Sequence, residues 1–193
     1  MNREFWYDVL RSGAIIGGVM SLSRIFERYM LSFSEIDIMR SSAIYAIEWL
    51  VAAVVLIWLL ARYAKRRANA VPVEIGVTYS YMLSFILLTS MLAGVLVGVA
   101  DTLFISIVGY ENYIMGFVGR IDQLQALYIE RGVPVESLTF LDEMSTQMRQ
   151  VEQPTIFAAV FNLLEIYAAS CLIPGFVIAA IVSSSHRRRG AQM

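Results

Sequence analysis

The chain has 193 residues, 58% of them hydrophobic and 16% charged, with 15 basic and 16 acidic side chains for a net charge of −1. A soluble domain is nearer 45–50% apolar and about 25% charged, so this composition points to lipid as the solvent, and the balanced charge excludes a nucleic-acid binder that works by neutralising phosphates. One cysteine and one histidine exclude an intramolecular disulfide and the usual zinc, haem and iron–sulfur shells, so neither a metal nor a cofactor is expected.

The length suits a single polytopic domain, residues 1–193, with four spans of about 20 or more residues each. Phe5, Trp6, Tyr7 and Asp8 lack the basic opening of a secretory signal, which predicts an uncleaved first span over 9–32 with Trp6 and Tyr7 at the membrane boundary. Its second half carries Arg24, Glu27 and Arg28. The second span, 43–63, stops at the basic cluster Arg62, Lys65, Arg66 and Arg67. The third, 75–107, passes Asp101 and is longer than a ~30 Å hydrocarbon core needs, which implies tilt or projection. The fourth, 155–183, starts after Pro154, and Pro174 should kink it.

Lysines and arginines gather on the cytoplasmic side of membrane proteins. Arg3, Arg11, Arg62, Lys65, Arg66, Arg67, Arg187, Arg188 and Arg189 outnumber Arg40, Arg120, Arg131 and Arg149 on the other side, so both termini are expected in the cytoplasm. The two basic clusters read first as topology signals and second as contacts for anionic headgroups. His186, within the terminal cluster, is expected to be solvated or to face headgroups.

Residues 110–153 would then be extracytoplasmic. Ile114, Phe117, Val118, Ile121, Leu124 and Tyr128 recur at three- and four-residue steps, Gly132 and Pro134 break the chain, and Leu138, Leu141, Met144, Met148 and Val151 resume the steps. The pattern predicts an amphipathic helical hairpin. It either folds back onto the bundle or the outer leaflet, or presents Phe117, Ile121, Leu141 and Met148 to a partner subunit.

The run Phe5-Trp-Tyr-Asp-Val-Leu10 leading into Gly13-Ala-Ile-Ile-Gly17, the basic loop after the second span, the long helical segment after the third and the closing fourth span resemble one family. This is domain of unknown function family 4199, small bacterial four-helix membrane proteins. The resemblance covers nearly the whole chain. It implies the inner membrane of a Gram-negative bacterium, no particular reaction, and an association with a membrane glycosyltransferase of lipid-linked sugars.

Gly13 and Gly17 in the first span, and Ser90, Gly94 and Gly98 in the third, are spaced to let helix backbones approach closely, within the chain or between chains. The chemically richer set is the ionisable residues inside the spans. Arg24, Glu27 and Arg28 share one helical face and are expected to meet Glu48, Asp101 and Glu165, all in the outer half of the bilayer. Two basic against four acidic residues leave a negative surplus, which calls for a protonated carboxyl such as Glu165, or for a cation or cationic ligand. Three uses are open for this set: a network fixing helix register, a polar pocket, or an ion path.

The sequence holds no P-loop, no G-x-S-x-G, no H-E-x-x-H and no second intramembrane aspartate to pair with Asp101. The expected fold is therefore an all-α membrane protein, a bundle of four transmembrane helices with an extracytoplasmic hairpin. Its expected role is non-enzymatic: an accessory or scaffold subunit, held to a membrane protein partner or to its own copies, serving a glycosyltransferase or another envelope-assembly enzyme. The alternative is a small-solute or ion transporter, or a ligand-binding membrane protein, that uses the charged pocket.

Overall fold

A computed structural model describes residues 3–32, 37–72 and 75–190, with side chains as far as residue 188. Among these residues the chain is all-helical: α1 Arg3–Ser32, α2 Ile38–Ala70, α3 Tyr79–Val108, α4 Tyr110–Glu130, α5 Thr139–Gln150, α6 Ile156–Ser170 and α7 Leu172–Gly190, with a short 3-10 turn before α5. Helices α1, α2 and α3 are long and apolar enough to cross a membrane; α6 and α7, bent by 47° at their junction, make a fourth crossing if they act as one.

Side-chain caps fix several helix starts. Asp37 accepts from the Met39 N–H at 2.9 Å to open α2, and Thr155 accepts from Ala158 at 3.3 Å to open α6. Thr78 accepts from the Tyr81 N–H at 3.2 Å, so α3 begins at Tyr79 and not near residue 75. Each cap satisfies an amide that has no partner inside the helix. Helices α1 and α2 run beyond the expected spans, by a turn or more past the apolar stretch in each case, because polar flanks continue a helix as readily as apolar ones. The interruption of the fourth span falls three residues before the expected kink. Pro174 has no N–H for the Ser170 carbonyl, so α6 closes at Ser170 and α7 restarts with the Gly175 N–H on the Cys171 carbonyl at 2.8 Å.

The centre of the packing is α3. A Cβ on Gly13 would come within 2.7 Å of Leu92, and one on Gly17 within 2.9 Å of Leu96, so α1 sits directly on α3. On the other side of α3, a Cβ on Gly94 would meet the Leu164 backbone at 2.8 Å and one on Gly98 the Val160 backbone at 2.8 Å, so α6 is as close. All four glycines mark contacts within the chain. Phe5, Ile16, Leu60, Met82, Phe85 and Val97 fill the core between them. Helix α2 leans on α1 and α7 and leaves Ile47, Trp49, Leu50 and Val54 exposed, a surface suited to lipid.

Two positive-φ glycines shape the hairpin. Gly109, at φ +89°, takes the chain from α3 into α4, and Gly132, at φ +81°, ends α4 with the Val133 N–H reaching back to the Tyr128 carbonyl at 3.0 Å. Ile121, Leu138 and Leu141 are buried between α4 and α5, with Phe117, Leu124, Tyr128 and Met148 packed against them. The sequence expectation of a partner surface at Phe117, Ile121, Leu141 and Met148 is corrected here. Those side chains are used in holding the two arms together, as the apolar stripes of two antiparallel helices must be when each is the other's nearest neighbour.

Candidate functional site

Near the hairpin end, α1 brings its charged face against α3 and α4. Arg28 donates from Nε to Asp101 Oδ1 at 2.8 Å and from Nη2 to Oδ2 at 3.1 Å, and Nη1 donates to the Tyr113 hydroxyl. One turn earlier, Arg24 pairs with Glu27 at 2.7 Å. Its Nε also lies 3.3 Å from Asp101, with the N–H out of line for a hydrogen bond. Asp101 is 3% exposed, so it is a carboxylate buried between two guanidiniums. Tyr113, on α4, was not expected here. Burial pushes its hydroxyl above the ordinary phenol range, while the neighbouring Arg28 pulls it back.

The same charged face continues towards α2. Ser23 donates to Glu48, and the Tyr45 hydroxyl donates to Glu27 at 3.4 Å. Between α1, α2 and α6 lies a cleft of about 230 Å³. Ser23, Arg24, Glu27 and Glu48 give it a polar floor, and Trp49, Ala52, Ala53, Leu56, Ile166 and Tyr167 give it apolar walls. Arg24 against Glu27 and Glu48 leaves the floor one negative charge in surplus. Helices α2 and α6 make little direct contact, which is why the cleft opens sideways between them.

Of the six charges expected to converge, Arg24, Glu27, Arg28 and Asp101 are joined by ion pairs, and Glu48 is reached through the Ser23 hydroxyl. Glu165 is the correction. It is exposed and, among the described residues, has no hydrogen-bond or ion-pair partner. The cause is helix rotation: Val160 is held against Gly98, successive residues turn by about 100°, and Glu165 therefore points about 140° away from α3. Ala158, Asn162 and Ala169 share that outward face and are also exposed.

No family model, no curated protein and no solved structure matches the chain.

At the opposite end, where α1 begins and α7 ends, a second polar cluster ties three helices. Arg67 is 5% exposed, donates to Asp8 at 2.7 Å and to the Tyr81 hydroxyl at 2.9 Å, and lies 6.0 Å from the Phe5 ring. Although it belongs by sequence to a basic topology cluster, Arg67 is occupied inside the protein. His186 departs further from expectation: it is 5% exposed, and its Nε2 is buried without a hydrogen-bond partner. Neighbouring Arg187 and Arg188 are exposed, and the side chain of Arg189 lies outside the described residues. No spacing signal marked His186 as buried; only the position of α7 against α2 turns it inward. Among the described residues no cluster of three or more histidine, cysteine or acidic side chains is arranged to hold a metal ion.

Proposed function

We propose that this chain is a non-enzymatic membrane protein that binds an amphiphilic molecule sideways from the bilayer, in the cleft between α1, α2 and α6. The observation that carries the reading is the combination, in one cleft, of a floor formed by Ser23, Arg24, Glu27 and Glu48 with walls formed by Trp49, Ala53, Leu56 and Ile166. An acyl or prenyl chain suits the walls. The negative surplus of the floor suits a head that donates hydrogen bonds, either an ammonium or a group of sugar-like hydroxyls. An ammonium head would supply the positive partner that Glu27 and Glu48 lack beside Arg24, and hydroxyls would supply hydrogen bonds to the same carboxylates. The basic residues at the terminal end support a cytoplasmic location for both termini, with the cleft then opening in the outer leaflet. The resemblance to domain of unknown function family 4199 supports a bacterial inner membrane.

The test is to purify the full chain in a mild neutral detergent and identify by mass spectrometry the amphiphiles that come with it. Enrichment of one class over bulk lipid, lost in Ala53→Trp and weakened in Glu48→Gln, is the expected result. Bulk lipid composition in the wild type, or equal retention by both variants, would overturn the reading.

A second reading, an accessory subunit bound to a membrane partner, is favoured by one observation. Glu165 and Asn162 stand on an exposed face of an apolar helix, where a polar side chain left in hydrocarbon is costly and a neighbouring helix would satisfy it.

A further inference from the structure

The groove between α2 and α7 at the terminal end holds a cavity of about 140 Å³, lined by Lys65 and Asn69 from α2 and by Ser185 and His186 from α7, with Ala68, Ile181 and Val182 beneath. We propose that this cavity is a phosphate-binding site, in which Lys65 and His186 hold the oxygens of a phosphate group. Three features lead to a phosphate rather than to another ligand.

The first is His186 Nε2. It is a buried polar atom without a partner on the wall of a cavity, and such an atom is costly unless something in the cavity meets it. The second is charge. Among the described residues Lys65 is the charged side chain lining the cavity and no carboxylate lines it, so a cation would be repelled and an anionic oxygen attracted. Ser185 donates its proton to the Ile181 carbonyl at 2.7 Å, so the donors on the wall are Lys65, the Asn69 amide and His186, in the tautomer that carries its hydrogen on Nε2. The third is depth. Lys65 lies five residues before the end of α2, about 8 Å along its axis, in the basic flank that follows the apolar run ending at Leu60, and such flanks are where spanning helices meet lipid headgroups. Exposed Arg62, Arg187 and Arg188 nearby add the positive field that draws anionic lipid to such a surface. The phosphate can belong to a lipid headgroup or be free in solution, and the recognition chemistry is the same for both.

The full chain in zwitterionic detergent is mixed with phosphatidylglycerol or with phosphatidylcholine, and adducts are counted by native mass spectrometry, with and without inorganic phosphate. Retention of phosphatidylglycerol should exceed that of phosphatidylcholine and fall about fivefold or more in Lys65→Ala and in His186→Ala. His186→Gln, which keeps an N–H donor, should restore part of it, and Arg62→Ala, outside the cavity, should lose less than either. Competition by inorganic phosphate would identify a site that reads the phosphate alone; no competition, with the lipid preference kept, would identify a headgroup site. Should His186→Ala fail to fold, Lys65→Ala and His186→Gln carry the comparison. Equal retention of the two lipids that still falls in Lys65→Ala would identify a site that reads the phosphodiester common to both, whereas retention of both unchanged in Lys65→Ala and His186→Gln would mean that the cavity takes no phosphate, and would overturn the proposal.

Discussion

Arg28 grips Asp101 through two nitrogens, at 2.8 and 3.1 Å, and so fastens α1 to α3 by a fork that accepts little rotation of either helix. Arg24 adds its charge to the same carboxylate from 3.3 Å. Removing Asp101 therefore leaves two guanidiniums short of a partner, although Glu27 still compensates Arg24. Asp101→Ala should destabilise the protein by on the order of 3 kcal/mol, as expected when one member of a buried pair is deleted. Glu48→Gln, which keeps an acceptor for Ser23, should cost much less. Thermal melts in detergent compare the two, and equal losses would show that Asp101 is not the centre of the network.

The glycine contacts give a cleaner packing test. A methyl group on Gly94 or Gly98 would meet backbone atoms of α6 at 2.8 Å, whereas one on Gly18 would meet nothing within 4 Å. Backbone cannot move aside as the end of a flexible side chain can, so Gly94→Ala must separate α3 from α6. The expected cost is about 1–3 kcal/mol. Gly18→Ala should be neutral or stabilising, since alanine is the better helix former. Similar melting temperatures for the two variants would argue against direct α3–α6 packing.

Much of this arrangement is legible in the sequence, for physical reasons that can be named. Hydropathy finds helices that must satisfy their own backbones in lipid, small residues every fourth position find the close contacts of Gly13, Gly17, Gly94 and Gly98, and three- and four-residue spacing places Arg24, Glu27 and Arg28 on one face. What spacing within one helix does not give is the rotation of that helix against its neighbours. That rotation turns Glu165 outward, turns His186 inward and brings Tyr113 from α4 onto Arg28. The apolar stripes of α4 and α5 are equally visible in the sequence, but whether Ile121 and Leu141 meet each other or a partner depends on how Gly132 closes the hairpin.

Tyr113 makes a prediction about pH. Its hydroxyl is raised by burial above the ordinary value of about 10, so the folded protein holds that proton more tightly than the unfolded chain does. The stability this contributes is complete below about pH 10 and is lost as pH rises through the folded value. Tyr113→Phe should accordingly show a shallower loss of melting temperature on the alkaline side than the wild type. At neutral pH the variant should carry a constant deficit of about 0.5–1.5 kcal/mol, from the lost hydrogen bond with Arg28. Parallel alkaline slopes for the two proteins would remove Tyr113 from the buried cluster.

Glu165 separates the stability of the chain from its associations. Because its carboxyl makes no hydrogen bond or ion pair among the described residues and shares an exposed face with Ala158, Asn162 and Ala169, Glu165→Gln and Glu165→Leu should leave the stability in detergent within about 0.5 kcal/mol of the wild type. A carboxyl facing hydrocarbon is nonetheless costly in the bilayer, and the small residues beside it allow a second helix to approach. In native membranes, chemical crosslinking through a cysteine introduced at Ala169 should therefore capture a neighbouring helix in the wild-type background and lose it in Glu165→Leu. Glu165→Gln, which keeps a hydrogen-bonding side chain, should retain most of the product. Crosslinking that is absent from the start, or indifferent to Glu165→Leu, would leave this face to lipid alone and would weigh against the accessory-subunit reading while leaving the cleft between α1, α2 and α6 untouched.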